Sequence, residues 1–266
     1  MSSPTPLRRS DVPAAVAASS GLRLALPKGR MQEGVLSLME DAGMRVRPSE
    51  RSYRPAVAIE GADTKILKPQ NIVEMLHLGS RDVGFAGADW VAELDGELVE
   101  LLDTELDPVR LVAAAPESLL EGGELRRGRL IVASEYERLS RRWISERGLD
   151  ALFVRSYGAT EVFPPEDADC IVDNTATGST LRDNKLAIVD ELMQSSTRLY
   201  ACPRALEVAP KRRAIDDLVL LLGSVIEARR RVMVEVNVAA ARLEEVIAVL
   251  PCMRRPTIAP LHGEDA

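Results

Sequence analysis

Short apolar runs alternate with amphipathic stretches from Leu22 to Arg230, and this alternation limits the fold more than any other feature of the chain. The runs at residues 22–26, 82–89, 108–115, 128–133, 151–154, 168–172 and 195–201 have the length and composition of strands. Between them lie helical patterns. Met31, Val35, Leu36, Leu38 and Met39 share one face, with Gly43 as a stop, and Ile72, Val73, Leu76 and Leu78 form a second stripe. Residues 136–147 are a charged amphipathic helix, and residues 210–230 a long one with Ile215, Leu218, Leu222 and Ile226 inward. Strand after helix after strand predicts a mainly parallel α/β sheet, whose ligands bind at the carboxyl ends of its strands.

One such end reads Asp173-Asn174-Thr175-Ala176-Thr177-Gly178-Ser179-Thr180-Leu181. The preceding apolar run is a buried strand. Leu181, Leu186, Ile188 and Val189 fall near helical spacing, so a helix is expected to open at Ser179. A strand, a turn of small residues and a helix start turn backbone N–H groups and a helix dipole toward one point. Thr177, Ser179 and Thr180 add hydroxyl donors, and Asp173 can accept from sugar hydroxyls, which together suit a ribose 5-phosphate. An ordinary polar turn with Thr177 or Ser179 as N-cap fits the same residues. No Lys follows Gly178, so the loop is not a Walker A motif.

Pro27-Lys28-Gly29-Arg30 stands at the end of the first strand. Lys28 and Arg30 on either side of a glycine suit an oxyanion or a polyphosphate, and equally a solvated basic turn. Asp89, after Gly87, reads as the cap of a helix running through Leu94, with Gly87 permitting the turn. Glu161 is either a second polar anchor beside the phosphoribosyl loop or a solvated acid before Pro164-Pro165.

A formal net charge of -7 argues against a general nucleic-acid binder. Cys170, Cys202 and Cys252 are far apart without a C-x-x-C, and His77 and His262 form no cluster in sequence. Neither zinc nor a disulfide framework is therefore expected, and a reduced cytoplasmic compartment fits. No apolar run is long enough to span a bilayer. Residues 1–20, with Arg8-Arg9 and an interrupted apolar core, read as a disordered leader. After Arg229-Arg230-Arg231, residues 232–238 alternate as a strand, 241–250 as a helix and 256–261 as a returning strand. That β-α-β unit is half of a ferredoxin-like module and too small to bury its own core.

With Leu26-Pro27-Lys28-Gly29-Arg30, Asp82-Val83-Gly84-Phe85-Ala86-Gly87 and residues 173–181 in this order, the chain resembles the ATP phosphoribosyltransferases. These are the first enzymes of histidine biosynthesis. Leu139-Ser140-Arg141-Arg142-Trp143, Gly158-Ala159-Thr160-Glu161 and Ser195-Ser196-Thr197 support the likeness, which runs from about Leu22 to Leu261. The resemblance implies an α/β, two-domain, periplasmic-binding-protein-like catalytic core. It places domain I at residues 21–107 plus 195–228, domain II at 108–194, and a partial ferredoxin-like regulatory domain at 229–266. Long-form members carry that last domain for histidine inhibition, and here it is expected to be incomplete. Lys68-Pro69-Gln70-Asn71 stands where the family more often has Arg or an acid.

The implied substrates are ATP and phosphoribosyl pyrophosphate, with Mg²⁺ riding on the pyrophosphate and a homo-oligomer of dimers or hexamers. Lys28, Arg30 and Asp173 become the catalytic candidates. Glu161, Asp173, Thr175, Ala176, Thr177, Gly178, Ser179, Thr180 and Leu181 become the substrate-binding set. The competing expectation is a periplasmic-type binding protein that uses the same two-lobed fold without chemistry.

Overall fold

A computed structural model of the chain describes residues 21–49, 52–126, 128–250 and 256–260. The leader at 1–20, Cys252 and His262 lie outside the described residues. The elements run β1 (Arg23–Pro27), α1 (Arg30–Asp41), β2 (Val46–Ser49), β3 (Ser52–Val57), β4 (Asp63–Leu67), α2 (Pro69–Leu78), β5 (Val83–Gly87) and α3 (Ala88–Glu93). Then come β6 (Val99–Pro116), the small hairpin β7 (Leu120–Glu121) and β8 (Glu124–Leu125), β9 (Leu130–Ser134), α4 (Glu137–Glu146), β10 (Ala151–Arg155) and β11 (Cys170–Thr175). The chain continues through α5 (Ser179–Asp183), β12 (Leu186–Ala201), α6 (Pro203–Leu206), α7 (Ala209–Arg229) and α8 (Leu243–Val249).

Eight strands form one sheet in the order β10-β9-β11-β6-β12-β5-β1-β4. At one end β10, β9 and β11 are parallel, and at the other β5, β1 and β4 are parallel. The two groups are joined by β6 and β12, which pair antiparallel with each other and with their neighbours. The sheet is thus mainly parallel at its two ends, as the alternation predicted, and antiparallel at its centre. The reason is that β6 and β12 are single long strands, which the sequence pattern had read only as residues 108–115 and 195–201. Leu186, Ile188 and Val189, expected on a helix, lie in β12, and the helix that opens at Ser179 ends at Asp183.

Each parallel group has its own core. Leu24, Leu26, Val35, Leu38, Phe85, Leu199, Ile215, Leu218 and Leu222 form one cluster around β1, β5, α1 and α7. Leu111, Ala113, Val132, Tyr136, Leu139, Trp143 and Val172 form another around β9, β11 and α4. Helix α1 buries Met31, Val35, Leu38 and Met39, the spacing of one apolar stripe, and α7 buries the four positions predicted for it. All five residues of β1 are buried, as befits a strand of a parallel sheet covered on both faces.

Residues 227–266 form a separate compact unit. Among its described residues the regular structure beyond the end of α7 is a 3₁₀ turn at Ala240–Arg242 and α8. Residues 232–238 and 256–260 join no strand ladder, which corrects the expected strands of a ferredoxin-like unit. The alternation in Val232–Val238 is real, but alternation needs a partner strand and a covering layer. Val232 and Met233 are 86% and 92% exposed, so neither is present for them here.

Candidate active site

Strand β11 emerges from the second cluster and delivers Asp173, Asn174 and Thr175 at its carboxyl end. The chain then turns at Gly178, whose φ of 74° lies in the left-handed region that suits a glycine. The Gly178 N–H donates to Thr175 Oγ1 at 2.9 Å, and the Ser179 N–H to Thr177 Oγ1 at 3.3 Å. Thr177 Oγ1 and Ser179 Oγ share a hydrogen bond of 2.9 Å, and Arg182 Nη1 donates to the Thr177 carbonyl at 3.1 Å. The loop is therefore folded on itself while Ala176, Thr177, Ser179 and Thr180 remain exposed. The helix dipole expected here is small, because α5 has only five residues and few aligned peptides. The exposed hydroxyls of Thr177, Ser179 and Thr180, more than the helix, are what the loop presents to the space in front of it.

A cavity of about 310 Å³ is lined by Arg30, Val109, Glu161, Asp173, Asn174, Thr175, Ala176, Thr177, Ser179, Thr180 and Leu181. The structure thus brings Arg30, from the opposite end of the sheet, to the same space as Glu161, Asp173 and the loop. Arg30 is half exposed, and its Nη1 lies 3.8 Å from Asp107 Oδ1, a loose pairing that leaves it free to reorient. Lys28 is placed differently: its Nζ donates to Tyr53 Oη at 2.9 Å, sits 4.8 Å from that ring's centroid and is outside the cavity lining. A neighbouring cavity of about 430 Å³ shares Val109 and Ala176 and is walled by Arg110, Gln194, Ser195, Ser196 and Arg198 among others.

Burial raises the Asp173 carboxyl from its ordinary 3.8 to about 6, and the negative charges of Glu161, Glu135 and Asp89 push in the same direction. The Asn174 N–H, donating to Asp173 Oδ1 at 2.7 Å, opposes them only in part. No cation pairs with Asp173 among the described residues.

Asn174, Tyr136 and Ser195, without an assigned role in the sequence reading, join this site together with Asp89. Asn174 Nδ2 donates to Tyr136 Oη at 2.8 Å, and Tyr136 Oη donates to Asp89 Oδ2 at 2.6 Å. Ser195 Oγ donates to Asp89 Oδ1 at 2.8 Å and accepts the Asp89 N–H at 3.1 Å. Asp89 is therefore not a helix cap. The N-cap of α3 is Gly87, with a φ of -72° that any residue adopts. Gly87 is needed for space instead, since a Cβ there would collide with the Asp89 carboxylate. Asp89, Tyr136 and Asn174 all lie at or just past the carboxyl ends of β5, β9 and β11, and that topological position was the signal in the sequence that pointed to them.

Around this chain of hydrogen bonds, α3 is fastened to α4. The Trp90 and Tyr136 rings stack at 4.5 Å and 26°. Glu93 accepts the backbone N–H groups of Arg138 and Leu139, both at 3.0 Å, at the otherwise unsatisfied N-terminus of α4. Arg138 in return donates to the Ala92 carbonyl at 2.6 Å and to Asp95 Oδ1 at 2.8 Å.

Residues 68–224 match the family described as ATP phosphoribosyltransferase, and residues 228–266 match its C-terminal domain. An ATP phosphoribosyltransferase of Chlorobium phaeobacteroides is 36% identical over 256 residues, covering 92% of this chain and 85% of the relative. Its counterpart in Pelotomaculum thermopropionicum is 36% identical over 250 residues, covering 92% and 86%. Among solved structures, the ATP phosphoribosyl transferase (HisG:HisZ) complex from Thermotoga maritima superposes with a TM-score of 0.69 at 26% identity. That match covers 78% of this chain and 99% of the other.

Proposed function

The chain belongs to the ATP phosphoribosyltransferase family, and from that premise we propose how its cleft carries out the family's reaction. The reaction is ATP plus phosphoribosyl pyrophosphate to N1-(5-phosphoribosyl)-ATP plus pyrophosphate, the first step of histidine biosynthesis. The alternative of a binding protein without chemistry is not favoured by this kinship. One observation carries the site assignment. Arg30, Glu161, Asp173 and the 175–181 loop, which lie far apart in sequence, line a single cavity.

In this reading Thr175, Ala176, Thr177, Gly178, Ser179, Thr180 and Leu181 hold the 5-phosphate through hydroxyls and the loop backbone. Asp173 and Glu161 accept hydrogen bonds from the ribose hydroxyls. The adenine N1 lone pair forms the new bond at C1 as the C1–oxygen bond breaks, and pyrophosphate leaves with that electron pair. Positive charge grows at the sugar and negative charge on the leaving group, so positioning and charge stabilisation do most of the work. Asp173, titrating near 6, is largely ionised at neutral pH and faces the sugar as an anion. Arg30 grips the departing pyrophosphate, with Lys28 released from Tyr53 to join it. N1 carries no proton to remove, so no general base is assigned.

The cavity lining offers carboxylate and hydroxyl oxygens, donor chemistry that a hard cation accepts. A Mg²⁺ carried on the pyrophosphate, with few protein ligands, would supply charge neutralisation there. We assign residues 21–107 plus 195–228 to domain I, 108–194 to domain II and 229–266 to the regulatory domain. The two apolar clusters support the first division and the C-terminal family match the last. Histidine is assigned as the inhibitor acting through residues 229–266, in a cytoplasmic homo-oligomer of dimers or hexamers. No helix among the described residues is long and apolar enough to cross a membrane.

The test is an ultraviolet difference assay with ATP, phosphoribosyl pyrophosphate, Mg²⁺ and pyrophosphatase, run on the wild type, Asp173→Ala and Thr177→Ala. Absorbance from an N1-substituted adenine, weakened in both variants at low phosphoribosyl pyrophosphate, supports the assignment. Near-normal rates in both would remove the loop from the mechanism. Repeating the assay with histidine, alongside light scattering for mass, tests the regulatory and oligomer assignments.

A further inference from the structure

The Tyr136 ring is 1% exposed, yet its hydroxyl is the link between two polar side chains at the ends of different strands. It donates to Asp89 and accepts from Asn174, so its proton has a single direction and its lone pair a single donor. The ring cannot turn to choose other partners, because Trp90 stacks on it and the Tyr136 N–H is tied to Ser134 Oγ at 2.9 Å. Ser134 Oγ in turn donates to the Val172 carbonyl, the residue before Asp173. On the other side, the backbone N–H of Asn174 is the group that holds the Asp173 carboxylate. Two independent paths therefore run from Tyr136 to Asp173: one through the Asn174 side chain and its peptide, the other through Ser134 and the β11 backbone.

We propose that Tyr136 is a positioning residue for the phosphoribosyl site, fixing the orientation of Asp173 through Asn174 while its own ring stays out of reach of substrate. This rests on the assignment of Asp173 to the ribose. The anchor at the far end is Asp89, held by Ser195 of β12, so the orientation of Asp173 depends on α3 staying docked on α4. Removing the hydroxyl leaves Asn174 Nδ2 without its acceptor and Asp89 Oδ2 without its donor. Asn174 is half-buried, and its freed side chain can swing toward solvent or the Asp173 carboxylate, which loosens the carboxyl end of β11 where the Asn174 N–H meets Asp173.

The experiment is initial-rate kinetics on the full chain, with each substrate varied in turn, for the wild type, Tyr136→Phe, Asn174→Ala, their double variant, Asp173→Ala and Trp90→Phe. Tyr136→Phe should raise the KM for phosphoribosyl pyrophosphate about tenfold, the factor that one ordinary hydrogen bond provides. The KM for ATP should stay within about twofold. Asn174→Ala should give the same split, and Tyr136→Phe should add less than about twofold to it, since residues acting through one path are not additive. Trp90→Phe, a packing change in the same place, should lower the melting temperature without separating the two substrates. If Tyr136→Phe folds poorly, Asn174→Ala reads the same link from the exposed side. Equal rises in both KM values, no rise, or full additivity in the double variant would overturn the proposal while Asp173→Ala still impairs phosphoribosyl pyrophosphate use. If Asp173→Ala has no effect on that substrate, the ribose assignment falls as well.

Discussion

Asp82 and Asp173 are both carboxylates at strand ends, and their surroundings are opposite. Asp82 precedes β5 at its amino end, where Arg23 and Lys211 close on it. Arg23 Nε donates to Oδ2 at 3.0 Å, Lys211 Nζ to Oδ1 at 3.0 Å, and the Arg23 N–H to Oδ2 at 2.8 Å. Burial pushes the Asp82 carboxyl up, but these donors outweigh it and hold it below the ordinary carboxylate range. Asp173 stands at the carboxyl end of β11 with one N–H donor, three acids in its field and a carboxyl raised to about 6. One acid is satisfied by the protein and holds the fold; the other is held by a single N–H donor, and the ribose is the partner proposed for it. The amino end of β5 is finished by the chain itself, whereas the acid at the carboxyl end of β11 has no cation partner among the described residues.

The sharpest break in that comparison is Asp82→Ala. It leaves Arg23 and Lys211 buried without their anion, which costs about 3–5 kcal/mol. A fall in melting temperature of roughly 10–15 °C in a calorimetric scan is expected at this chain size. Asp173→Ala should do the reverse, lowering kcat/KM for phosphoribosyl pyrophosphate about 100-fold, as loss of two charge-assisted hydrogen bonds would. Its fold should remain intact by circular dichroism.

Asp173→Asn sharpens the contrast in stability. The native state binds the Asp173 proton more tightly than the unfolded chain, so ionising this group opposes folding as pH rises from about 4 to 6. The Asn variant should be more stable than wild type by about 1–3 kcal/mol at pH 7, with the gap closing below about pH 4. Denaturant titrations at both pH values measure it. Asp82 has the opposite sign, its stabilisation fading as pH falls through its depressed carboxyl. In wild type, use of phosphoribosyl pyrophosphate should fall as pH drops through about 6, when Asp173 becomes protonated. Thr177→Ala removes one exposed hydroxyl and should raise the KM for phosphoribosyl pyrophosphate about tenfold. The smallest effect is expected from Lys28→Ala, a loss in turnover of a few-fold at unchanged melting temperature, because Lys28 rests on an exposed tyrosine. A large loss of stability there would make Lys28 structural.

Most of the elements were legible in the sequence. Apolar spacing alone located α1, α2, α4, α7 and the strand before the 175–181 loop, because each buries one stripe or a whole run. The lengths of β6 and β12 were not legible. Their outer halves carry charged residues such as Glu100, Asp103, Asp190 and Glu191, and such composition reads as loop until a partner strand is seen. Leu186, Ile188 and Val189 fit helical spacing only because β12 is bulged, with register shifts at Ile188/Asp190 and Glu191/Met193 that disturb its period of two.

By itself the sequence determined the kind of chemistry: a small-residue loop after a buried strand, one acid before it, two cations around a glycine and a family likeness. Local order suffices there, since a loop's donors come from consecutive residues. Only the tertiary structure decided that Arg30 shares a cavity with Asp173 and Lys28 does not, and that Asp89, Tyr136 and Asn174 form one chain of hydrogen bonds. Those relations join residues on different strands, and strand order in a sheet is set by how whole faces pack, which spacing along one chain does not encode.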